Sequence, residues 1–166
     1  FDVILCHWAL TLMDPVAPVF SAVRRVLKKD GVFAAIIDGD MKTSPSYSDI
    51  HNIIYSHVQR EYPDYGVIEL GDPRVRTGSG LQALAEKTFF NPAINITPLL
   101  LHLNSKPDIM ARVAAGFFYA SFVLSGATHQ KMLVSLEDYF SNQKKDSARG
   151  ICMPVNLMVI RKTSSF

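Results

Sequence analysis

Two short segments put chemically capable side chains where an α/β sheet would present them. Cys6, His7 and Trp8 follow Phe1-Asp2-Val3-Ile4-Leu5, which reads as a buried strand, and Asp38 and Asp40 close a second apolar run, Val32 to Asp38. Ligands of open α/β sheets bind beyond the carboxyl ends of the strands, so both segments are candidate site walls. His7 carries the group best matched to proton transfer near neutral pH. It reads equally as a polar strand-end residue, and Trp8 as packing. Asp38 and Asp40 can meet a cationic or hydroxylated ligand, or can act as turn formers that satisfy their own backbone.

A second set lies further along. Tyr47, Tyr55 and His57 belong to a helical pattern whose apolar stripe is Ile50, Ile53, Ile54, His57 and Val58. His57 on that stripe reads as a hydrogen-bonded core histidine or as a substrate contact. Tyr47, Tyr55, Phe117, Phe118 and Phe122 can shape an apolar pocket or form plain core. His51 and His57 are six residues apart, on different sides of a helix, and no other His, Cys or carboxylate grouping has ligand spacing. No metal is expected. Gly78-Ser79-Gly80 has no strand before it, and Ser79 with Gln82 reads as a capping box rather than a phosphate loop. Asp72-Pro73-Arg74-Val75-Arg76 reads as a stiff charged loop, suited to surface salt bridges or to an acidic ligand.

The elements that position these residues follow from periodicity. Asp14 and Pro15 open a helix through Val16, Val19, Phe20, Val23 and Leu27, and Gly31 ends it. Two buried strands joined by that helix make a parallel crossover. Ser46 or Ser48 starts the next helix, Ile94 to Leu103 is a third strand, and Ser105 and Thr128 cap two further helices, over Asp108 to Leu124 and through Phe140. Ile151 to Arg161 is the last strand, and Pro154, which cannot donate to a ladder, marks its start or a bulge.

Composition sets the class. A chain of 166 residues with 48% hydrophobic and 19% charged residues is an ordinary globular protein with one core. A net charge of +2 without a dense basic stripe leaves no nucleic-acid footprint, and Arg24-Arg25 with Lys28-Lys29 read as a solvated helix end. The most apolar stretch, Val113 to Ala127, is shorter than the roughly 20 residues a membrane span needs, so no membrane partner is expected. Cys6 and Cys152 stand apart in separate apolar runs, which fits a reducing cytoplasm.

The segment Phe1 to Leu10, followed by Val23-Arg24-Arg25-Val26-Leu27-Lys28-Lys29-Asp30-Gly31, resembles the class I S-adenosylmethionine-dependent methyltransferases, and within them the small-molecule, ubiquinone-biosynthesis-like group. Pro154 to Lys162, ending in Arg161-Lys162, resembles that family's last strand. Lys29 and Asp30 stand where the family usually has Pro and Gly. The resemblance implies an α/β fold, the C-terminal half of a Rossmann-like sheet with strands four, five, seven and six, in a single domain over 1–166. It also implies a lid insertion over 41–77 and a helical insertion over 105–149, between the last two strands.

On this resemblance Cys6, His7 and Trp8 border the cofactor S-adenosylmethionine, and His7 is the candidate base for the acceptor's proton. Asp38, Tyr47, Tyr55 and His57 are the candidate substrate contacts. The family's Gly-rich cofactor turn and ribose-binding acid have no counterpart here, so weak or no cofactor binding and no activity are expected of these residues alone. The acceptor is expected to be a small organic molecule. A second expectation is a non-catalytic self-association module: the first strand, apolar and without a neighbour on one edge, pairs with a second copy to form a homodimer.

Overall fold

The computed structural model describes residues 1–66, 71–90, 92–143 and 150–163. Strand β1 (Val3–His7) pairs parallel with β2 (Val32–Asp38), Val3 opposite Val32 and His7 opposite Ile36. Strand β4 (Ile151–Arg161) runs antiparallel to β2, Val32 opposite Arg161 and Asp38 opposite Val155. With β3 (Ala93–Leu103) the sheet has the order β1-β2-β4-β3. This is the order expected for strands four, five, seven and six.

Helix α1 (Ala17–Val26) connects β1 to β2, and its apolar stripe Val16, Phe20, Val23 and Leu27 is buried. It starts later than Asp14-Pro15 suggests: Val16 is the N-cap, without a side-chain bond, and Pro18 lies in the first turn. Its end also differs. Asp30, not Gly31, takes the left-handed conformation (φ 60), while Gly31 is required for space, because a Cβ there would lie 2.9 Å from Leu27 Cγ and from the Lys28 carbonyl.

The chain groups into two units, one of Phe1–Asp40, Glu69–Leu99 and Pro154–Phe166, the other of Met41–Ile68 and Leu100–Met153. The first has α3 (Gly78–Thr88) and a core around Leu10, Phe20, Phe33, Ile37, Leu81 and Met158. Thr77 caps α3, its Oγ1 accepting from Gly80 N at 3.1 Å, so Ser79 is not the cap, and Gln82 donates instead to Glu86. The second unit has α2 (Pro45–Glu61), α4 (Pro107–Phe117) and α5 (Gly126–Asn142) around Ile50, Ile54, Met110, Met132, Leu136 and Phe140.

The single helix expected over Asp108 to Leu124 is broken. Helix α4 stops at Phe117, and a 3₁₀ turn, Tyr119–Val123, follows. The Ser121 hydroxyl donates to the Ala115 carbonyl and so satisfies the helix end. Ser125, rather than Thr128, caps α5. Of the two expected insertions, residues 67–70 and 144–149 lie outside the described residues.

The first strand is not covered on both faces. Ile4 and Cys6 pack against the core, whereas Val3 and Leu5 are 56% and 77% exposed. A continuous apolar run cannot by itself tell a fully buried strand from one with an open apolar face.

Candidate functional site

The carboxyl ends of β1 and β2 lie side by side because the pairing is parallel and in register through His7 and Ile36. The chain turns sharply at Trp8, whose φ is 51, and Trp8 N–H still donates to the Ile36 carbonyl at 3.0 Å. This turn aims the indole at the end of β2, where Nε1 donates to Asp38 Oδ1 at 2.7 Å. His7 is exposed, with its ring edge-on to the indole at 4.6 Å between centroids. Cys6 faces the other way, half-buried against the core.

Asp38 has a contested ionisation. Burial pushes its carboxyl above the ordinary value, while the Trp8 N–H and the positive charge of Arg76 pull it back. Its backbone carbonyl accepts from Nδ2 of the buried Asn156 on β4 at 3.4 Å. Gly39 follows at once and donates to the Pro154 carbonyl, and a Cβ there would lie 2.8 Å from Pro154 C, so this glycine serves close packing of β4. Asp40 is exposed beyond it.

Arg76 arrives from the segment that read as a charged loop. Asp72 caps a 3₁₀ turn, Pro73–Arg76, accepting from Arg74 N at 3.0 Å and binding the Arg74 guanidinium through both oxygens. That pair holds the Asp72 carboxyl below its usual range. Asp72 N–H in turn donates to the Met13 carbonyl, fixing the turn beside the segment after Trp8. Asn156 is the site residue that sequence reasoning missed, and Arg76, read as part of a charged loop, was not placed beside Asp38. The Asp-Pro start of a capped turn was the one available signal for Arg76, and nothing in the last strand singled out Asn156.

Tyr47, Tyr55 and His57 share helix α2 in the other unit. The helix begins where Ser44 Oγ accepts from Tyr47 N and donates to the Cys152 carbonyl at 2.5 Å, while Ser46 Oγ accepts from Cys152 N–H at 3.2 Å. Tyr47 is buried and lines an apolar cavity of about 140 Å³. Phe117 and Phe118 line it too; Tyr55 instead stacks on His51 at 4.0 Å, and Phe122 is 66% exposed. His57 is buried with a ring nitrogen 3.0 Å from Ser135 Oγ. Burial lowers its pKa, and so do the charges of Arg60 and Lys131.

The chemistry available at the sheet end is therefore binding by a carboxyl and an exposed imidazole beside an indole, with the positive charge of Arg76 acting on the carboxyl. Among the described residues no group of three or more His, Cys, Asp or Glu could hold a metal ion. No helix among them is long and apolar enough to cross a membrane.

No protein-family model matches the sequence, and no curated protein does. Solved structures do match. A methyltransferase-like protein of Bacillus halodurans is 13% identical with a TM-score of 0.49, and 99% of this chain aligns with 65% of that one. The YcgJ protein of Bacillus subtilis is 15% identical with a TM-score of 0.48, again over 99% of this chain and 65% of its own. Phosphoethanolamine N-methyltransferase 2 of Haemonchus contortus, in complex with phosphomonomethylethanolamine and S-adenosylhomocysteine, is 14% identical with a TM-score of 0.45, over 99% of this chain and 34% of its own. The chain thus spans less than two thirds of the length of each of these structures.

Proposed function

We propose that this chain is part of an S-adenosylmethionine-dependent methyltransferase that acts on a small organic acceptor. The observation that carries the reading is the sheet order β1-β2-β4-β3, with β4 antiparallel to β2 and the Cys6-His7-Trp8 and Asp38 segments at one end of the parallel pair. His7, Trp8 and Asp38 are then the wall that meets the cofactor and acceptor. Bound S-adenosylmethionine would supply an electrophilic methyl group, and the wall's task would be to align the acceptor, since a good nucleophile needs mainly alignment.

The residues present fit only part of that cofactor. Gly39 and Gly80 are spoken for by close contacts with the backbone of Pro154 and Arg74, so neither offers a bare turn to a ligand. The ribose-binding acid and the glycine turn belong to a part of the family fold outside these residues. No catalytic step is therefore derived from this chain alone, and S-adenosylmethionine should bind it weakly or not at all.

The test is calorimetric titration of S-adenosylmethionine and S-adenosylhomocysteine into this chain and into one extended upstream. Binding by the longer chain only is the expected result. Micromolar binding by the 166 residues would contradict the division of the site, and binding by neither would overturn the cofactor assignment.

A second reading is favoured by the open face of β1. Leu5 is 77% exposed and Val3 56% on a strand whose only partner among the described residues is β2. In that reading the chain is a non-catalytic module that forms a homodimer across β1.

A further inference from the structure

We propose that the cavity of the second unit is a binding site for a single neutral aromatic ring. It holds about 140 Å³ and is open on the side of Leu101, Leu103 and Val113, which are exposed. Its walls come from four elements: Tyr47 of α2, Leu101 and His102 of β3, Ala114 and Phe117 of α4 with Phe118 at the helix break, and Met153 of β4.

Phe118 stands where α4 ends and the 3₁₀ segment Tyr119–Val123 begins. The Phe118 and Tyr47 rings lie 5.3 Å apart and tilted by 32°, and the Phe117 and Phe118 rings are near-perpendicular at 6.2 Å. His51 backs the same wall, its ring 5.9 Å from that of Phe118. Burial lowers the His51 pKa, so the ring behind the wall is neutral at neutral pH.

Size and chemistry select the occupant. A closed apolar cavity of about 150 Å³ takes up one benzene ring, and this one, though open on one side, has room for a ring of that size. The wall here offers ring faces and edges and a thioether, each of which attracts an aromatic ring. None of the lining residues is Asp, Glu, Lys or Arg. The one imidazole on the wall, His102, is exposed, so a charged group carried in among the buried apolar side chains would leave both water and that ring behind, at high cost. Val113 and Phe117 are 41% and 37% exposed, so one side is open for entry.

The proposal goes beyond methyl transfer, because it requires neither cofactor nor acceptor and is read by binding alone. Toluene, phenol and benzoate are titrated into the 166-residue chain while the methyl resonances of Ala114 and Met153 are followed by NMR. Toluene should give saturable shifts and intermolecular nuclear Overhauser contacts at both methyls, with an affinity at least about tenfold above that of benzoate. Ala114→Phe, which fills the space, should abolish the contacts. Absence of contacts at the solubility limit of toluene would overturn the proposal, as would equal binding of benzoate or undiminished binding by a folded Ala114→Phe variant. Should that variant not fold, the contacts in the parent chain decide alone.

Discussion

The Trp8 indole N–H donates to Asp38 Oδ1 at 2.7 Å, tying the first residue past β1 to the last residue of β2. The two strands are parallel neighbours, so this bond crosses the end of the sheet where α/β proteins bind ligands. It also sets the aim of His7, whose ring rests edge-on against the indole.

Trp8→Phe keeps an aromatic ring but removes the donor from a half-buried carboxylate. Leaving such a group short of a partner costs about 1–3 kcal/mol. The variant should lose that much in urea unfolding, and the Asp38 carboxyl should titrate at higher pH than in the parent, because the bond that favours its charged form is gone. An unchanged Asp38 titration by NMR would mean that the bond does not persist in solution.

Asp38→Asn tests the same site from the other side. Burial raises the folded-state pKa of Asp38 above 3.8. Between the unfolded and folded values the native state holds more protons than the unfolded state, so this residue makes stability fall as pH rises through that window. The asparagine oxygen still accepts from Trp8 but carries no charge. The variant should therefore lack that decline and be at least as stable as the parent at pH 7. A variant clearly weaker at pH 7 would show that the carboxylate's attraction to Arg76 outweighs its burial.

Much of this site's scaffold was legible in the residues themselves. Val32 to Asp38 is bounded by turn residues and apolar up to its last residue, Ile151 to Arg161 is mostly apolar around Pro154 and Asn156, and both strands begin and end where that pattern says. Caps were less legible. Thr77 and Ser125 were passed over for Ser79 and Thr128, because several hydroxyls stand within one turn and only backbone dihedrals decide which of them lies outside the helix. Arg76 and Asn156 reach Asp38 from 38 and 118 residues away along the chain. No local periodicity encodes such a meeting, and neither residue type is unusual where it stands. The break after Phe117 was hidden for another reason: Val113 to Leu124 has Ser121 as its one hydroxyl-bearing aliphatic residue amid apolar and aromatic ones, so the period that marks a continuous helix had almost no polar face to contrast with.

Gly78-Ser79-Gly80 has a structural explanation that can be checked. A Cβ on Gly80 would lie 2.2 Å from the Arg74 carbonyl oxygen, a contact with backbone that no side-chain movement relieves. Gly80→Ala should destabilise by about 1–3 kcal/mol, the range of overpacking. Gly116, inside α4, meets nothing within 4 Å, so Gly116→Ala should stabilise by about 0.5–1 kcal/mol through helix propensity. Chemical denaturation of the pair settles it. Equal effects of the same sign would sink the packing account of Gly80.

The open face of β1 makes the remaining prediction. Phe1, Val3 and Leu5 are 69%, 56% and 77% exposed. An apolar strand at a sheet edge offers unpaired backbone groups and a greasy face together, a template for another chain. Multi-angle light scattering at rising concentration should then report a mass above the 18.5 kDa of one chain. Leu5→Lys should return it to the single-chain mass, since a lysine on the edge blocks strand pairing. Because Leu5 is exposed, the substitution should alter the single chain's own stability by no more than about 0.5 kcal/mol, so a loss of association would report the surface and not unfolding. A parent chain that stays at 18.5 kDa at high concentration would remove β1 as a dimer interface. A Leu5→Lys variant that associates as before would move the contact to another surface.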